Sequence, residues 1–157
     1  MQKIAPFLWF DHQAEEAMNF YVSTFRNSRV VNVMRYGEAG PGPKGSVMSA
    51  TFQLNGLEFM ALNGGPQPAF SPVVSFFVKC ETQQEVDELW EKLSADGTIQ
   101  QCGWLKDKYG VSWNIVPNIL GELLNDPDPI KSQRVMKAML QMKKLDIKGL
   151  KQAYEQR

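Results

Sequence analysis

Residues 7–21, "FLWFDHQAEEAMNFY", align without a gap with residues 76–90, "FFVKCETQQEVDELW". Each stretch begins with an apolar run of strand type and continues into a segment with helical periodicity. Phe20–Tyr21 falls on Leu89–Trp90, 69 positions later in the chain. A strand-helix unit that occurs twice indicates an internal duplication.

The residues after the first stretch predict three further strands. Residues 29–36 and 46–54 are rich in β-forming side chains, and in the second of them apolar and polar residues alternate. Ser49, Thr51 and Gln53 therefore share one face of a strand whose other face is apolar. Asn55–Gly56 is a strong hairpin signal that leads into residues 57–62.

The second half of the chain repeats this order. Residues 73–80 predict a strand, Thr82 with Glu85 forms a capping box, and Gly97 stops the helix that follows. Two more strands are predicted, at residues 98–105 and 111–117, around a turn at residues 107–110. We expect an α+β fold of two βαβββ modules that form a curved mixed sheet around a cleft, with the helices outside.

The C-terminal part predicts helices. Asp128–Pro129 is a good helix start, and Asp146 can cap a final short helix. Val135, Ala138, Met139 and Met142 form an apolar stripe that must cover either the domain's own surface or a second subunit. We expect a single domain, 1–157, with modules at about 1–66 and 70–120 and a helical tail at about 128–156.

Charge is balanced overall but unevenly distributed. Residues from Lys131 onward hold eight Lys or Arg and two Asp or Glu, whereas the preceding residues hold nine against fifteen. A basic tail is compatible with nucleic-acid binding. No aromatic residues are interleaved with the lysines as a stacking surface requires, so we predict a docked helix and no nucleic-acid partner.

Composition predicts a cytoplasmic protein. The two cysteines form neither a disulfide framework nor a metal-type pair, which is typical of a reducing compartment. The first ten residues contain no small-residue cleavage site, and no apolar stretch approaches membrane-spanning length. We therefore expect no membrane partner.

Residues 40–45, "GPGPKG", match the glycine spacing of a dinucleotide-binding loop. That motif requires a helix to open inside it, so that the helix N-terminus meets the phosphates. Two prolines and a following β-rich run predict a loop between strands instead. The sequence also contains no strand, glycine loop and helix unit that would bind S-adenosylmethionine.

The segment Cys102–Pro117 raises the question of catalysis or binding. Cys102 could act as a nucleophile, with Lys106 or Lys108 lowering its pKa, but a thiol nucleophile also needs a base. If residues 102–106 form one strand, Cys102, Trp104 and Lys106 share a face. Ser112 and Asn114 share a face of the next strand, and Trp113 and Ile115 point to its helix-packed side. This arrangement favours a pocket wall.

The chain resembles the vicinal oxygen chelate superfamily, the glyoxalase, bleomycin-resistance and extradiol dioxygenase group, and within it the PhnB-like, demethylubiquinone methyltransferase-like branch. The stretches that carry the resemblance span almost the whole chain. They are "PFLWFD" with "AEEAMNFY", "LNGGP", "VSFFVKC" with "EVDELW", "CGWLKDKYGVSWNIVPN" and "RVMKAMLQMKKLDIKGL". The resemblance implies paired βαβββ modules, a pocket in each curved sheet and commonly a homodimer.

The resemblance also implies where a divalent metal would be bound. Superfamily enzymes hold the metal with His, Gln or Glu, and the corresponding positions here are Pro6, Ser49 and Asn114, which are poor ligands. His12 is the single histidine, Glu58 is the clear strand carboxylate, and Asp107 lies at the edge of a turn. We predict no metal and no cofactor.

The sequence therefore predicts a protein that binds a small, partly aromatic molecule in its cleft. The alternative is a metal-dependent enzyme of the same superfamily (a lyase, dioxygenase or transferase) or one that uses Cys102 directly. The predicted ligand-binding residues are Leu8, Phe10, Ser49, Thr51, Gln53, Asn63, Phe77, Cys102, Trp104, Lys106, Ser112 and Asn114.

Overall fold

The computed structural model describes residues 2–66 and 69–156 of the 157-residue chain. These residues form two compact units, Met1–Pro68 and Ala69–Arg157. No helix in the described ranges is long and apolar enough to cross a membrane.

The first unit is a four-stranded sheet with one helix. β1 and β4 are parallel, the other neighbouring strands are antiparallel, and the order across the sheet is β1-β4-β3-β2. The elements in chain order are β1 (Phe7–Phe10), α1 (Ala14–Thr24), β2 (Arg29–Arg35), β3 (Val47–Leu54) and β4 (Leu57–Asn63).

An aromatic stack holds α1 against this sheet. Tyr21 of α1 lies over Phe52 of β3 with ring centroids 6.4 Å apart, and Phe52 stacks on Phe59 of β4 at 5.7 Å. All three side chains are buried. Burial of this much apolar ring area stabilises the contact between α1 and the sheet by several kcal/mol, at about 25 cal/mol per Å².

The start of α1 is fixed by a residue far away in sequence. Gln13 precedes the helix and makes no side-chain cap. Instead, Oδ1 of Asn63, at the end of β4, accepts a hydrogen bond from the Ala14 backbone N–H at 2.8 Å. Nδ2 of Asn63 donates to the Val47 carbonyl at 3.0 Å. One amide group thus satisfies an unpaired helix donor and joins α1 to two strands.

The second unit repeats this arrangement and adds three helices. Its strand order is β5-β8-β7-β6, with β5 and β8 parallel. The elements are β5 (Phe76–Cys80), α2 (Gln83–Ser94), β6 (Thr98–Ile99), β7 (Trp104–Lys106), β8 (Ser112–Pro117), α3 (Asn118–Leu124), α4 (Pro129–Leu140) and α5 (Ile147–Glu155).

The α+β class and the two βαβββ modules are confirmed, and the strands form two four-stranded sheets. β1 begins at Phe7 and β5 at Phe76, and α1 begins at Ala14 and α2 at Gln83, so the 69-residue offset holds for both elements. The predicted capping box is also present, because Oγ1 of Thr82 accepts a hydrogen bond from the Glu85 N–H at 3.2 Å.

Two elements differ from the sequence prediction. Residues 98–105 do not form one strand, because a turn at residues 101–103 separates β6 from β7. Helix α3 was not predicted, and its start explains why. Pro117 precedes it without a side-chain cap, and Gly121 interrupts a short apolar run that lacks a clear helical stripe.

The apolar stripe of the tail packs within its own unit. Val135 of α4, Leu145 just before α5 and Leu150 of α5 are fully buried, and they form one cluster with Val116 of β8 and Leu120 of α3. Met139 and Met142 are partly buried against the same cluster. The sequence allowed this stripe to cover either the domain's own surface or a second subunit. In the structure it covers a surface of its own unit.

Tyr154 fastens the end of α5 to the rest of the tail. Its hydroxyl donates to Oδ2 of Asp126 at 2.6 Å, its carbonyl accepts from the Arg134 guanidinium at 2.9 Å, and Nζ of Lys131 lies 5.1 Å from its ring centroid. The hydrogen bond from Tyr154, followed by that from the Asp128 N–H, lowers the pKa of Asp126 below its usual value of 3.8.

We predict that Tyr154→Phe lowers the melting temperature of the second unit at neutral pH, because the substitution removes the hydroxyl donor and keeps the ring over Lys131. A carboxylate with a depressed folded-state pKa contributes stability above its unfolded pKa and loses it as pH falls through the folded pKa. The difference between the two proteins should therefore shrink below about pH 4. Thermal unfolding followed by circular dichroism at several pH values checks this. A difference that stays constant down to pH 2 would contradict the role assigned to Asp126.

Candidate functional site

Helix α1 covers one face of the first sheet and leaves the other uncovered. The strand register assigns alternate residues to the two faces. The covered face includes Leu8, Ala50, Phe52 and Ala61, all buried. The opposite face is named here the first open face, and its residues on β1, β3 and β4 are Phe7, Trp9, Ser49, Thr51, Gln53, Glu58, Met60 and Leu62.

Three of the predicted ligand-binding residues of the first unit lie on the first open face. Ser49, Thr51 and Gln53 are partly exposed there, as the alternation in β3 predicted.

Leu8, Phe10 and Asn63 lie on the covered face, so the prediction that they share a wall with the polar residues of β3 is wrong. Leu8 pairs with Ala61, and Phe10 pairs with Asn63. Leu8 and Phe10 are only 7% and 3% exposed, and the side chain of Asn63 is committed to α1 and β3.

The aromatic residues of the first open face were missed by the sequence analysis. Phe7 and Trp9 are 57% and 45% exposed. All four residues of β1 are apolar, so the sequence carries no alternation that distinguishes its faces. Only the pairing with β4 does, because Phe7 lies beside Met60 and Trp9 beside Leu62.

The loop after β4 holds Trp9 in place. The indole N–H donates to the Gly65 carbonyl at 3.1 Å. A side-chain carbon on Gly64 would lie 2.1 Å from Cε2 of the indole, so only glycine permits this close approach of backbone and ring.

The face of the second sheet opposite α2 is open along β5 and β7, whereas on β8 Val116 is buried against the tail helices. Helix α2 covers the side that contains Phe76, Leu105, Trp113 and Ile115, which confirms the predicted orientation of Trp113 and Ile115. The opposite face is named here the second open face. Its residues on β5, β7 and β8 are Phe77, Lys79, Trp104, Lys106, Ser112, Asn114 and Val116.

Two rows of side chains cross the second open face. In the first row Asn114 of β8 lies between Phe77 of β5 and Trp104 of β7. In the second, one step along the strands, Ser112 lies beside Lys106. The five predicted ligand-binding residues of this sheet therefore share one face. Phe77 is 61% exposed, whereas Ser112 and Asn114 are 1% and 5% exposed beneath their neighbours.

Cys102 does not belong to this face, which corrects the strand parity assumed from the sequence. It lies in the turn before β7 with a φ of 60°, and its backbone N–H donates to the Met142 carbonyl at 2.8 Å. The alternation that relates Trp104 to Lys106 cannot be extended into a turn of left-handed conformation.

Cys80, the other thiol, is buried at the end of β5. Burial, followed by the nearby charge of Glu85, raises the pKa of this thiol to about 12. A thiol with so high a pKa is almost entirely protonated at neutral pH and is a poor nucleophile.

Asp107 has a structural role at the turn of residues 107–110. Its Oδ1 accepts the backbone N–H groups of Tyr109 and Val111 at 2.9 and 3.0 Å, and its Oδ2 accepts the Trp113 indole N–H at 2.9 Å. Three donors thus hold a carboxylate that is 2% exposed. These bonds explain how the turn closes and leave this carboxylate unsuited to bind a metal.

The residues at the expected metal positions do not fit a divalent ion. Pro6 has no side-chain donor atom, Ser49 offers a neutral hydroxyl, and Nδ2 of Asn114 donates to Oγ of Ser75 at 2.7 Å. His12 is exposed, and its Nδ1 lies 3.5 Å from Oδ2 of Asp11. Within residues 2–66 and 69–156, no three His, Cys, Asp or Glu side chains are grouped to hold a metal ion.

The glycine-rich loop at residues 40–45 contains no helix. Side-chain carbons on Gly40 and Gly42 would lie 2.6 and 2.3 Å from the ring of Tyr36, so the loop lies directly on that ring. The hydroxyl of Tyr36 in turn donates to the Asn63 carbonyl at 3.2 Å. The loop is built on an aromatic side chain, without the helix N-terminus that a dinucleotide-binding loop requires.

The chain matches one protein-family model over residues 2–116, described as 3-demethylubiquinone-9 3-methyltransferase. A structure described as a putative 3-demethylubiquinone-9 3-methyltransferase, PhnB protein, from Bacillus cereus is 46% identical. The alignment covers 74% of this chain and 99% of that one, with a TM-score of 0.70. The chain belongs to this family, the PhnB-like branch of the vicinal oxygen chelate superfamily.

More distant structures share the fold. The protein PA1353 from Pseudomonas aeruginosa is 20% identical, with a TM-score of 0.62 over 75% of this chain and 100% of that one. The fosfomycin resistance protein FosX from Listeria monocytogenes, complexed with Mn(II) and sulfate ion, is 15% identical, with a TM-score of 0.50 over 72% of this chain and 90% of that one. No curated protein matches significantly.

We predict that the two thiols of this PhnB-like protein differ strongly in reactivity. Cys102 is partly exposed in a turn, whereas Cys80 is fully buried with a raised pKa. Native protein should release about one equivalent of thionitrobenzoate from Ellman's reagent, and Cys102→Ala should release almost none until urea is added. Cys80→Ala is the matched control and should react like the parent protein. Fast reaction of Cys80 in the native state would contradict its assigned burial.

Proposed function

We propose that this PhnB-like protein binds a small, partly aromatic molecule and acts by binding it, without a catalytic metal. The observation that carries the proposal is the first row of the second open face, where Phe77 and Trp104 flank Asn114. Phe77 is exposed and Trp104 is partly exposed, so the two rings offer stacking surface on either side of the buried amide of Asn114. Phe7 and Trp9 give the first open face a similar character.

The alternative enzyme mechanisms lose support from the same geometry. A thiol mechanism requires a base near the nucleophile. Cys102 lies in a turn outside the second open face, so its thiol is not among the side chains proposed to bind the ligand. A metal mechanism requires anionic or imidazole ligands, which Pro6, Ser49 and Asn114 do not supply. FosX is described with Mn(II), and that metal is not transferred to this chain.

We extend the proposal to a homodimer in a reducing cytoplasm. Two free cysteines without a disulfide favour that compartment. Ile4, Val73 and Val74 are strongly exposed apolar residues that lie just before the edge strands β1 and β5. Exposed apolar residues beside an unpaired strand edge are typical of association surfaces.

The ligand prediction is tested with the aromatic row. Titrations of aromatic compounds, followed by ligand-observed NMR, should identify binders whose affinity falls about tenfold in Phe77→Ala and in Trp104→Ala, because each ring contributes about 1–3 kcal/mol of stacking. Ile130→Ala, at an exposed apolar residue of α4 outside both open faces, is the control and should leave the affinity unchanged. EDTA should leave the affinity unchanged.

Two results would count against this proposal. If no aromatic compound binds at millimolar concentration, the binding function is wrong. If binding is abolished by EDTA and restored by a divalent ion, the metal-dependent alternative replaces it.

The assembly prediction is tested by sedimentation equilibrium. At micromolar concentration the protein should have twice its chain mass of 17.8 kDa. Val73→Asp combined with Val74→Asp should shift the equilibrium towards monomer, because buried charges oppose association. Lys137→Asp, on the exposed side of α4, is the control and should leave the mass unchanged. A parent protein that is monomeric at every concentration would overturn the proposal.

A further inference from the structure

The second open face has a one-sided charge. Lys79 on β5 and Lys106 on β7 both belong to it, and its described strands place no Asp or Glu beside them. Neither lysine forms an ion pair with another described residue. Asp107 is the carboxylate nearest to Lys106 in sequence. It accepts hydrogen bonds from three N–H groups, one of which is the indole N–H of Trp113 on the covered side of the sheet.

Ser112 adds an unused hydrogen-bonding group to this charge. It is 1% exposed, and within the described part of the chain its hydroxyl has no hydrogen-bond partner. A buried hydroxyl without a hydrogen-bond partner destabilises the folded protein. The Ser112 hydroxyl gains a partner when a ligand atom accepts a hydrogen bond from it, and Ser112 lies directly beside Lys106.

The two rows have the spacing of one small molecule. Phe77 and Trp104 are two strands apart, about 10 Å, which leaves room for one planar ring above Asn114. Lys106 and Ser112 lie two residues along the same strands, about 7 Å from that position. A ring bound between Phe77 and Trp104 would therefore place a substituent of that ring beside Lys106 and Ser112.

We propose that the ligand of the second open face is an aromatic carboxylate, with its ring between Phe77 and Trp104 and its carboxylate at Lys106 and Ser112. This inference rests on the proposed function and sharpens it by assigning the charge of the ligand. A carboxylate accepts hydrogen bonds from both the ammonium and the hydroxyl, which strengthens each of them. An amine would meet two uncompensated lysines, and a neutral amide would gain no ion pair.

The test compares 2-naphthoate with 2-naphthamide, which has the same ring and no charge, by ligand-observed NMR titration. We expect the parent protein to bind the carboxylate about tenfold more tightly. Lys106→Gln should remove this preference and keep the affinity for the amide. Lys92→Gln, on the exposed side of α2, removes the same charge from the covered side of the sheet and should keep the preference.

Ser112→Ala gives an independent variant if Lys106→Gln destabilises the protein. It should weaken naphthoate binding without lowering the melting temperature, because the hydroxyl it removes has no partner in the described chain. Equal affinity for naphthoate and naphthamide would overturn the inference and leave the proposed function standing. Loss of the preference in Lys92→Gln as well would also overturn it, because the charge effect would then be non-local. Failure of both compounds to bind would overturn the inference, and the proposed function would fall only if the wider set of aromatic compounds also failed to bind.

Discussion

Each sheet of this protein has only one helix of its βαβββ module to cover it, and this imbalance determines where function can lie. A four-stranded sheet has two faces, and one amphipathic helix can bury only one of them. Tyr21, Phe52 and Phe59 show how completely α1 buries its side in the first unit. The opposite side then presents whatever the sequence places at the alternate positions, and in both units those positions include aromatic residues.

The alternation of side chains also set the limit of what could be predicted. In β3, polar and apolar residues alternate, so Ser49, Thr51 and Gln53 could be assigned to the uncovered face from the sequence. In β1 every residue is apolar, so Leu8 and Phe10 were assigned to the wrong side and Phe7 and Trp9 were missed. Register with β4 resolves the ambiguity, and register is a property of the folded sheet.

Asn63 and Cys102 were misassigned for a different reason, because each forms hydrogen bonds with backbone groups of a distant segment. Asn63 binds the first N–H of α1 and a carbonyl of β3, so a polar residue at a strand end serves as a helix cap. Cys102 adopts a positive φ in a turn, and its backbone N–H donates to the Met142 carbonyl. Both roles depend on contacts across at least 16 residues of sequence, which local patterns do not encode.

The family match ends at residue 116, yet the fold of the second unit continues across that point. The N–H groups of Cys102 and Gly103 donate to the carbonyls of Met142 and Lys143, and Val116 is buried among residues of α3, α4 and α5. The stretch that the family model matches therefore ends inside a folding unit. A chain shortened at that point would expose two backbone donors and an apolar strand end.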